Sequence, residues 1–305
     1  MDKPKMIFIS NLMMLLMLLF VVPRENVAGD LDLLHEKNFK IGQGKDFILT
    51  TDGGDVMVNT WGKNEVGVKI FGNSQAKKRF DFTFESDTGY VKVKGKKHRS
   101  SIFNWFSSIK LRYEIMVPRK FNVNLVTAGG DLKIKDLVGE AVLTTSGGDI
   151  KAANITGNVS AKTSGGDIRI NGVKGEVSAK TSGGDIDCKN ISGDLKLKTS
   201  GGDIDMKNID AKVNAGTSGG DINLIFTGEN RGIELYTSGG DIRIEVPEDF
   251  SADINLKTVG GDISVGLENV KDIKASKYSF TGKVGNGEEP LTAKTTGGDI
   301  IVEKF

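Results

Sequence analysis

Aspartate is the residue of this chain whose spacing could do chemistry. It recurs in T-x-G-G-D motifs, mostly T-S-G-G-D-I, at Asp131, Asp149, Asp167, Asp185, Asp203 and Asp221, each step 18 residues, then at Asp241, Asp262 and Asp299, with an early copy at Asp55 in "TDGGDV". Two units carry a second aspartate two residues on, Asp187 and Asp205. Hard cations such as Ca²⁺ take clustered carboxylates as ligands, so Asp185, Asp187, Asp203 and Asp205 are the candidate calcium site. The competing reading is turn chemistry, because aspartate side chains accept backbone N–H bonds in tight turns. Carboxylates stacked one strand spacing apart, about 4.8 Å, repel by roughly 1 kcal/mol per pair in water. Basic neighbours are available to offset this: Lys133, Lys151, Arg169 and Arg243 two residues after the motif aspartate, and Lys162, Lys180 and Lys198 just before the motif threonine. Turn and ladder chemistry is the expected role of the column, with no cofactor required.

Other reactive residues are few. Cys188 stands at a position held elsewhere by Ile134, Ala152, Ile170, Met206 and Leu224, so it is expected to be a buried apolar filler. The two histidines, His35 and His98, lie far apart and outside the repeats, which argues against a histidine-based catalytic set or zinc site. Residues 94–112, "KGKKHRSSIFNWFSSIKLR", break the repeat with Phe103, Trp105 and Phe106 beside Lys96, Lys97 and Arg99. This segment is expected to cap an open end of the fold; the alternative is a contact surface, with aromatics inserting and cations meeting anionic groups.

The elements that must position these residues follow from the repeat. With the aspartate as position 1, apolar or small residues fall at positions 2, 4, 7, 11 and 13, and threonine at 15, with Lys, Asp, Asn, Ser and Glu between. That alternation is the pattern of strands with one buried face. It slips twice per unit. One slip is at Gly-Gly, where glycine's tolerance of positive φ suits a corner; the other is at pairs such as Asn171-Gly172 and Lys189-Asn190. The triplets beginning at Asn154, Asn158 and Asn190 are expected to be polar corners rather than glycosylation sites. A unit this short cannot bury its apolar side alone, but stacked units can, each coil pairing in parallel with the next. A propeller blade would need about 40 residues or more. The expected fold is therefore an all-β parallel solenoid with 18 residues per regular coil.

The order of segments carries a resemblance. "ILTTDGGDVMVNTWGKNEVGVKI" (residues 48–70) is followed by "RYEIMVPRKFNVNLVTAGGDLKI" (112–134), the T-S-G-G-D-I array, and "YSFTGKVGNGEEPLTAKTTGGDIIVEKF" (278–305). In this the chain resembles the bacterial putative-adhesin family, a domain of unknown function found in exported proteins. The resemblance covers nearly all of the chain beyond its N-terminal segment. It implies a single-stranded β-helix, right-handed, and brings no catalytic residues.

The N-terminal segment reads as a secretory signal. Lys3 and Lys5 precede an apolar run over residues 6–22, and small residues lead to Gly29; the run is short for a membrane span. The expected organisation is a signal peptide at 1–29, irregular coils with the capping segment at 30–126, and regular coils at 127–305, the last two forming one continuous domain. The chain carries a formal net charge of +1. Cleavage after Gly29 removes Lys3, Lys5, Arg24, Asp2 and Glu25 and leaves it neutral, which argues against a nucleic-acid partner. A lone cysteine excludes an intrachain disulfide. The function expected is that of an exported, non-enzymatic envelope protein (periplasmic, cell-surface or extracellular) with no membrane span after cleavage. Its expected partner is a cell-surface, polysaccharide or envelope-protein ligand. A polysaccharide-binding or polysaccharide-degrading β-helix and an envelope scaffold or sensor that binds another protein are the alternatives.

Overall fold

Alternation along the chain becomes two faces of a coil. In one unit Ile168, Ile170, Val173, Val177, Ala179 and Thr181 are buried, while Arg169, Lys174 and Lys180 between them are exposed. The first half forms the strand Ile168–Lys174 and the second the strand Val177–Lys180. The next coil repeats both as Ile186–Ser192 and Leu195–Lys198, paired in parallel with Ile186 beside Ile168, Cys188 beside Ile170 and Leu197 beside Ala179. The computed structural model describes residues 31–98 and 108–305. In it one strand from each coil joins a 13-stranded sheet and the other a 14-stranded sheet, both mainly parallel. Their inward residues form one continuous core. The expected signal peptide, residues 1–29, lies outside the described residues. Pairing runs past residue 127 without a break in both sheets, Lys45–Thr51 on Phe121–Thr127 on Ala141–Thr144 in one and Asp55–Trp61 on Leu132–Lys135 on Ile150–Thr156 in the other.

The corner at T-S-G-G-D is held from coil to coil by three sets of bonds. The buried threonine donates its hydroxyl to the second-glycine carbonyl of the neighbouring coil: Thr163 to Gly148, Thr181 to Gly166 and Thr199 to Gly184, each at 2.9 Å. The aspartate N–H donates to the Oδ1 of the neighbouring aspartate, as Asp185 does to Asp167 at 3.0 Å and Asp203 to Asp185 at 2.9 Å. The first-glycine N–H donates to the neighbouring serine carbonyl, Gly201 to Ser182 at 3.1 Å. Aspartate therefore bonds across the stack, not within its own turn as the sequence suggests.

The role of Gly-Gly also differs from the sequence expectation. Gly54 and Gly130 do take positive φ, 107° and 116°, but from Gly147-Gly148 onward neither glycine of the pair does. The second is needed for close approach: a Cβ on Gly184 would overlap the Gly166 carbonyl oxygen, whereas one on Gly183 would come no nearer than 3.6 Å to that coil. Left-handed residues occupy the other bends. Asn154, Asn190 and Asn208 have φ of 55°, 55° and 56°, and Gly172 has 70° at the equivalent place. A further column, Gly139, Gly157, Gly175 and Gly193, has φ between 136° and 148° and again abuts the backbone of the coil before it.

Both ends depart from stacking in chain order. The early strand Lys45–Thr51 lies between Phe121–Thr127 and Tyr90–Lys97, so the copy at Asp55 sits in register and accepts the Asp131 N–H at 3.0 Å. Beyond it, antiparallel Glu65–Gly72, Asp32–Lys40 and Phe80–Ser86 finish the sheets. Here the buried Tyr113 hydroxyl lies 2.7 Å from Thr51 Oγ1. At the far end the last strands, Pro290–Lys294 and Ile300–Lys304, insert between coils already laid down: the first between Ile233–Tyr236 and Ala252–Lys257, the second between Ile242–Val246 and Ile263–Gly266. The aspartate order in space is accordingly Asp241, Asp299, Asp262. An antiparallel hairpin, Lys271–Ser276 with Ser279–Val284, ends that sheet with an exposed edge bearing Lys271, Asp272 and Lys274, charges that discourage edge-to-edge pairing.

Two predictions follow from the corner. Gly184→Ala should destabilise the fold by about 3 kcal/mol or more, since overpacking against backbone has no soft neighbour to yield. Gly183→Ala should change it by less than about 1 kcal/mol; denaturant melts of the two variants compare them directly. Thr181→Val keeps shape but removes the hydroxyl that the Gly166 carbonyl accepts, and should cost about 1–3 kcal/mol. Thr181→Ser, which keeps the hydroxyl, should recover most of that loss in the same melts.

Candidate binding faces

The strands aim alternate side chains outward, so each sheet presents a face built of columns. On the 13-stranded sheet the column beside the aspartate ladder runs Lys133, Lys151, Arg169, Asp187, Asp205. Two of its three cations, Lys151 and Arg169, pair with aspartates. Arg169 bridges Asp167 at 2.9 Å and Asp149 at 3.5 Å, Lys151 lies 4.0 Å from Asp149, and Lys189 lies 3.2 Å from Asp187. A shallow cavity of about 490 Å³ opens on this face near Lys133, Lys135 and Asp187.

The four candidate calcium residues lie in two adjacent columns. Asp185 and Asp203 each spend Oδ1 on a backbone N–H from the next coil. Asp187 Oδ2 pairs with Lys189, its Oδ1 being covered and without a partner, and Asp205 Oδ1 accepts from Asn223 at 3.1 Å. Among the described residues no group of three or more His, Cys, Asp or Glu side chains is placed to hold a metal ion. Cys188 is fully buried, and burial pushes its thiol well above the ordinary range, so it stays protonated.

Of the capping or contact candidates, Lys96 and Lys97 are exposed at the end of the strand Tyr90–Lys97, where the Lys97 N–H donates to Asp52 Oδ2 at 2.8 Å. Arg99, Phe103, Trp105 and Phe106 lie outside the described residues. The asparagine corners form their own ladder, Asn154 donating to Asp136 and Asn208 to Asn190.

The 14-stranded sheet differs in kind. Its outer column just before the threonines runs Thr144, Lys162, Lys180, Lys198, Gly216, Tyr236, Lys294, Lys257 in spatial order. Lys162, Lys180 and Lys198 do not neutralise the aspartates, as their sequence position suggests; they stand on the opposite sheet. None of these lysines, nor Lys196 beside Lys198, makes an ion pair among the described residues. Where the lysine column breaks at Gly216, a cavity of about 590 Å³ opens, and Tyr236 beside it is 50% exposed. Glu234, on the same strand, accepts from Asn214 Nδ2 at 2.9 Å. Sequence reading missed this gap. Its signal was there in the aligned repeat, as the first glycine in a column of lysines.

Stacked parallel coils locked by glycine-aspartate corners define a β-solenoid. The Toastrack DUF4097 profile matches residues 45–303, and the chain belongs to that family. Three solved structures are similar, each to 89% of this chain. One is a "putative cell adhesion protein" from Clostridium sporogenes, 10% identical, 99% of its chain covered, TM-score 0.23. Another is a "putative adhesin" from Bacteroides fragilis, 15% identical, 97% covered, TM-score 0.39. The third is a "putative lipid binding protein" from Parabacteroides distasonis, 13% identical, 96% covered, TM-score 0.44. The search of curated proteins found no match. Among the described residues, no helix is long and apolar enough to cross a membrane.

Because each of the four aspartates has one carboxylate oxygen bonded within the chain, calcium should leave the melting temperature unchanged. A rise in melting temperature that is lost in Asp187→Asn and Asp205→Asn would instead establish a metal site.

Proposed function

We propose that this chain is an exported, non-enzymatic protein of the cell envelope that acts as an adhesin or surface scaffold. The observation that carries the reading is the in-register repetition of outward side chains, Ser160 and Lys162 being followed by Ser178 and Lys180 and then by Lys196 and Lys198. A ligand with its own repeat can engage such a surface at several coils at once, and linked weak contacts add into strong attachment. Export is supported by the signal-like residues 1–29. The regular coils carry acidic residues that follow the repeat rather than departing from it, the reverse of what a dedicated catalytic site requires.

Cell fractionation with mass analysis of the native protein tests this. The expected species lacks residues 1–29, resides in the envelope or medium, and does not depolymerise polysaccharides offered to it. A full-length chain in the cytoplasm would overturn the reading, and so would glycan cleavage.

A further inference from the structure

The geometry points to the break in the lysine column at Gly216 and Tyr236 as a binding site for an acidic glycan chain. The inference rests on the reading that the outer faces are the working surface, and gives one of them a ligand class. Four observations carry it.

The first is charge. Lys162, Lys180 and Lys198 are paired side by side in adjacent strands, with Lys196 next to them and Lys294 and Lys257 beyond the gap. On the other sheet Lys151, Arg169 and Lys189 are tied to aspartates; of the six lysines named here none is paired among the described residues. Like charges at strand spacing repel, and an anionic partner running along the stack relieves that repulsion.

The second is Gly216 itself. Its φ is ordinary, and a Cβ there would meet nothing closer than the Tyr236 carbonyl oxygen at 3.5 Å. The backbone therefore does not demand glycine, unlike at Gly184 or Gly202. What glycine does at this position is leave the outer face open, and the opening is the cavity flanked by Lys198, Asn214, Glu234, Tyr236 and Lys294.

The third is Tyr236, half exposed beside that opening, with its hydroxyl 3.1 Å from Ser238 Oγ. An exposed ring next to a polar cavity offers an apolar face with a polar tip, which suits the C–H face of a sugar ring. The fourth is the mixed polarity of the lining. Glu234 and Asn214 bond to each other and have capacity left for hydroxyl groups, while Lys198 and Lys294 stand on either side for carboxylates. A bare polyanion would have no use for Glu234. A chain carrying both hydroxyls and acid groups uses all of these side chains.

The test is retardation of the full chain in gels containing polygalacturonate, with dextran as the neutral control and phosphatidylcholine–phosphatidylglycerol vesicles as the anionic-membrane control. The wild-type chain should be retarded by polygalacturonate, less so as salt is raised, and not by dextran. Tyr236→Ala and Lys198→Gln should each weaken retardation several-fold without lowering the melting temperature, since both side chains are exposed. Gly216→Lys is the decisive variant. It extends the lysine column as far as Tyr236 and adds a charge, so simple electrostatic adhesion would strengthen; filling the cavity beside Tyr236 should instead weaken it. Stronger or unchanged retardation by Gly216→Lys overturns the proposal, as does binding to the vesicles but not to polygalacturonate, or no retardation at all. None of these failures bears on export or envelope residence, which fractionation decides separately.

Discussion

Backbone contact between successive coils at the T-S-G-G-D corner is the constraint on which the structure depends. Strand pairing alone sets the coils about 4.8 Å apart, but it does not stop a coil from slipping in register. The corner does. There the Gly184 backbone lies so close to the Gly166 carbonyl that no Cβ fits. The Thr181 hydroxyl, the Asp185 N–H and the Gly183 N–H all cross to the neighbouring coil within a few residues. A slip of one residue would break all three and turn the inward face outward. Because a buried hydroxyl is costly without a partner, the threonine column reinforces the register that the apolar residues set.

Register of this kind turns one residue choice into a column, and a column of charge must be compensated. The aspartate column is compensated within the chain, by backbone N–H groups from the next coil and by Arg169 spanning two carboxylates. The backbone N–H bonds recur along the array, while the guanidinium offsets repulsion at Asp149 and Asp167 alone.

Much of this was legible in the sequence. Steps of 18 residues, alternation within them and threonine at one fixed position are enough to predict coils, inward residues and the filler role of Cys188, because each rests on a local period. What was not legible depends on contacts between coils. The sequence suggests positive φ for Gly-Gly, but the actual demand at Gly184 is steric and comes from a residue 18 positions away. It equally cannot show that Asp55 stacks on Asp131 across 76 residues, or that Asp299 slips between Asp241 and Asp262. The T-S-G-G-D corner is the same wherever it sits, so its letters do not encode its neighbour. The candidate sites divide in the same way. The acidic residues stand out as letters, while the Gly216 gap is seen only once the coils are aligned face by face.

The two glycine classes show how function can be separated from architecture in a repeat fold. A glycine such as Gly184 is accounted for completely by the coil beneath it, and nothing about a ligand can be read from it. Gly216 stands on an outer face with ordinary backbone and open space around it, so neither folding nor packing calls for it. The lysines near it make no ion pair among the described residues and repel one another. Residues that the stack requires are bonded within the stack. Those that it does not require, set together on one face around Tyr236, are where the proposed glycan would make its contacts.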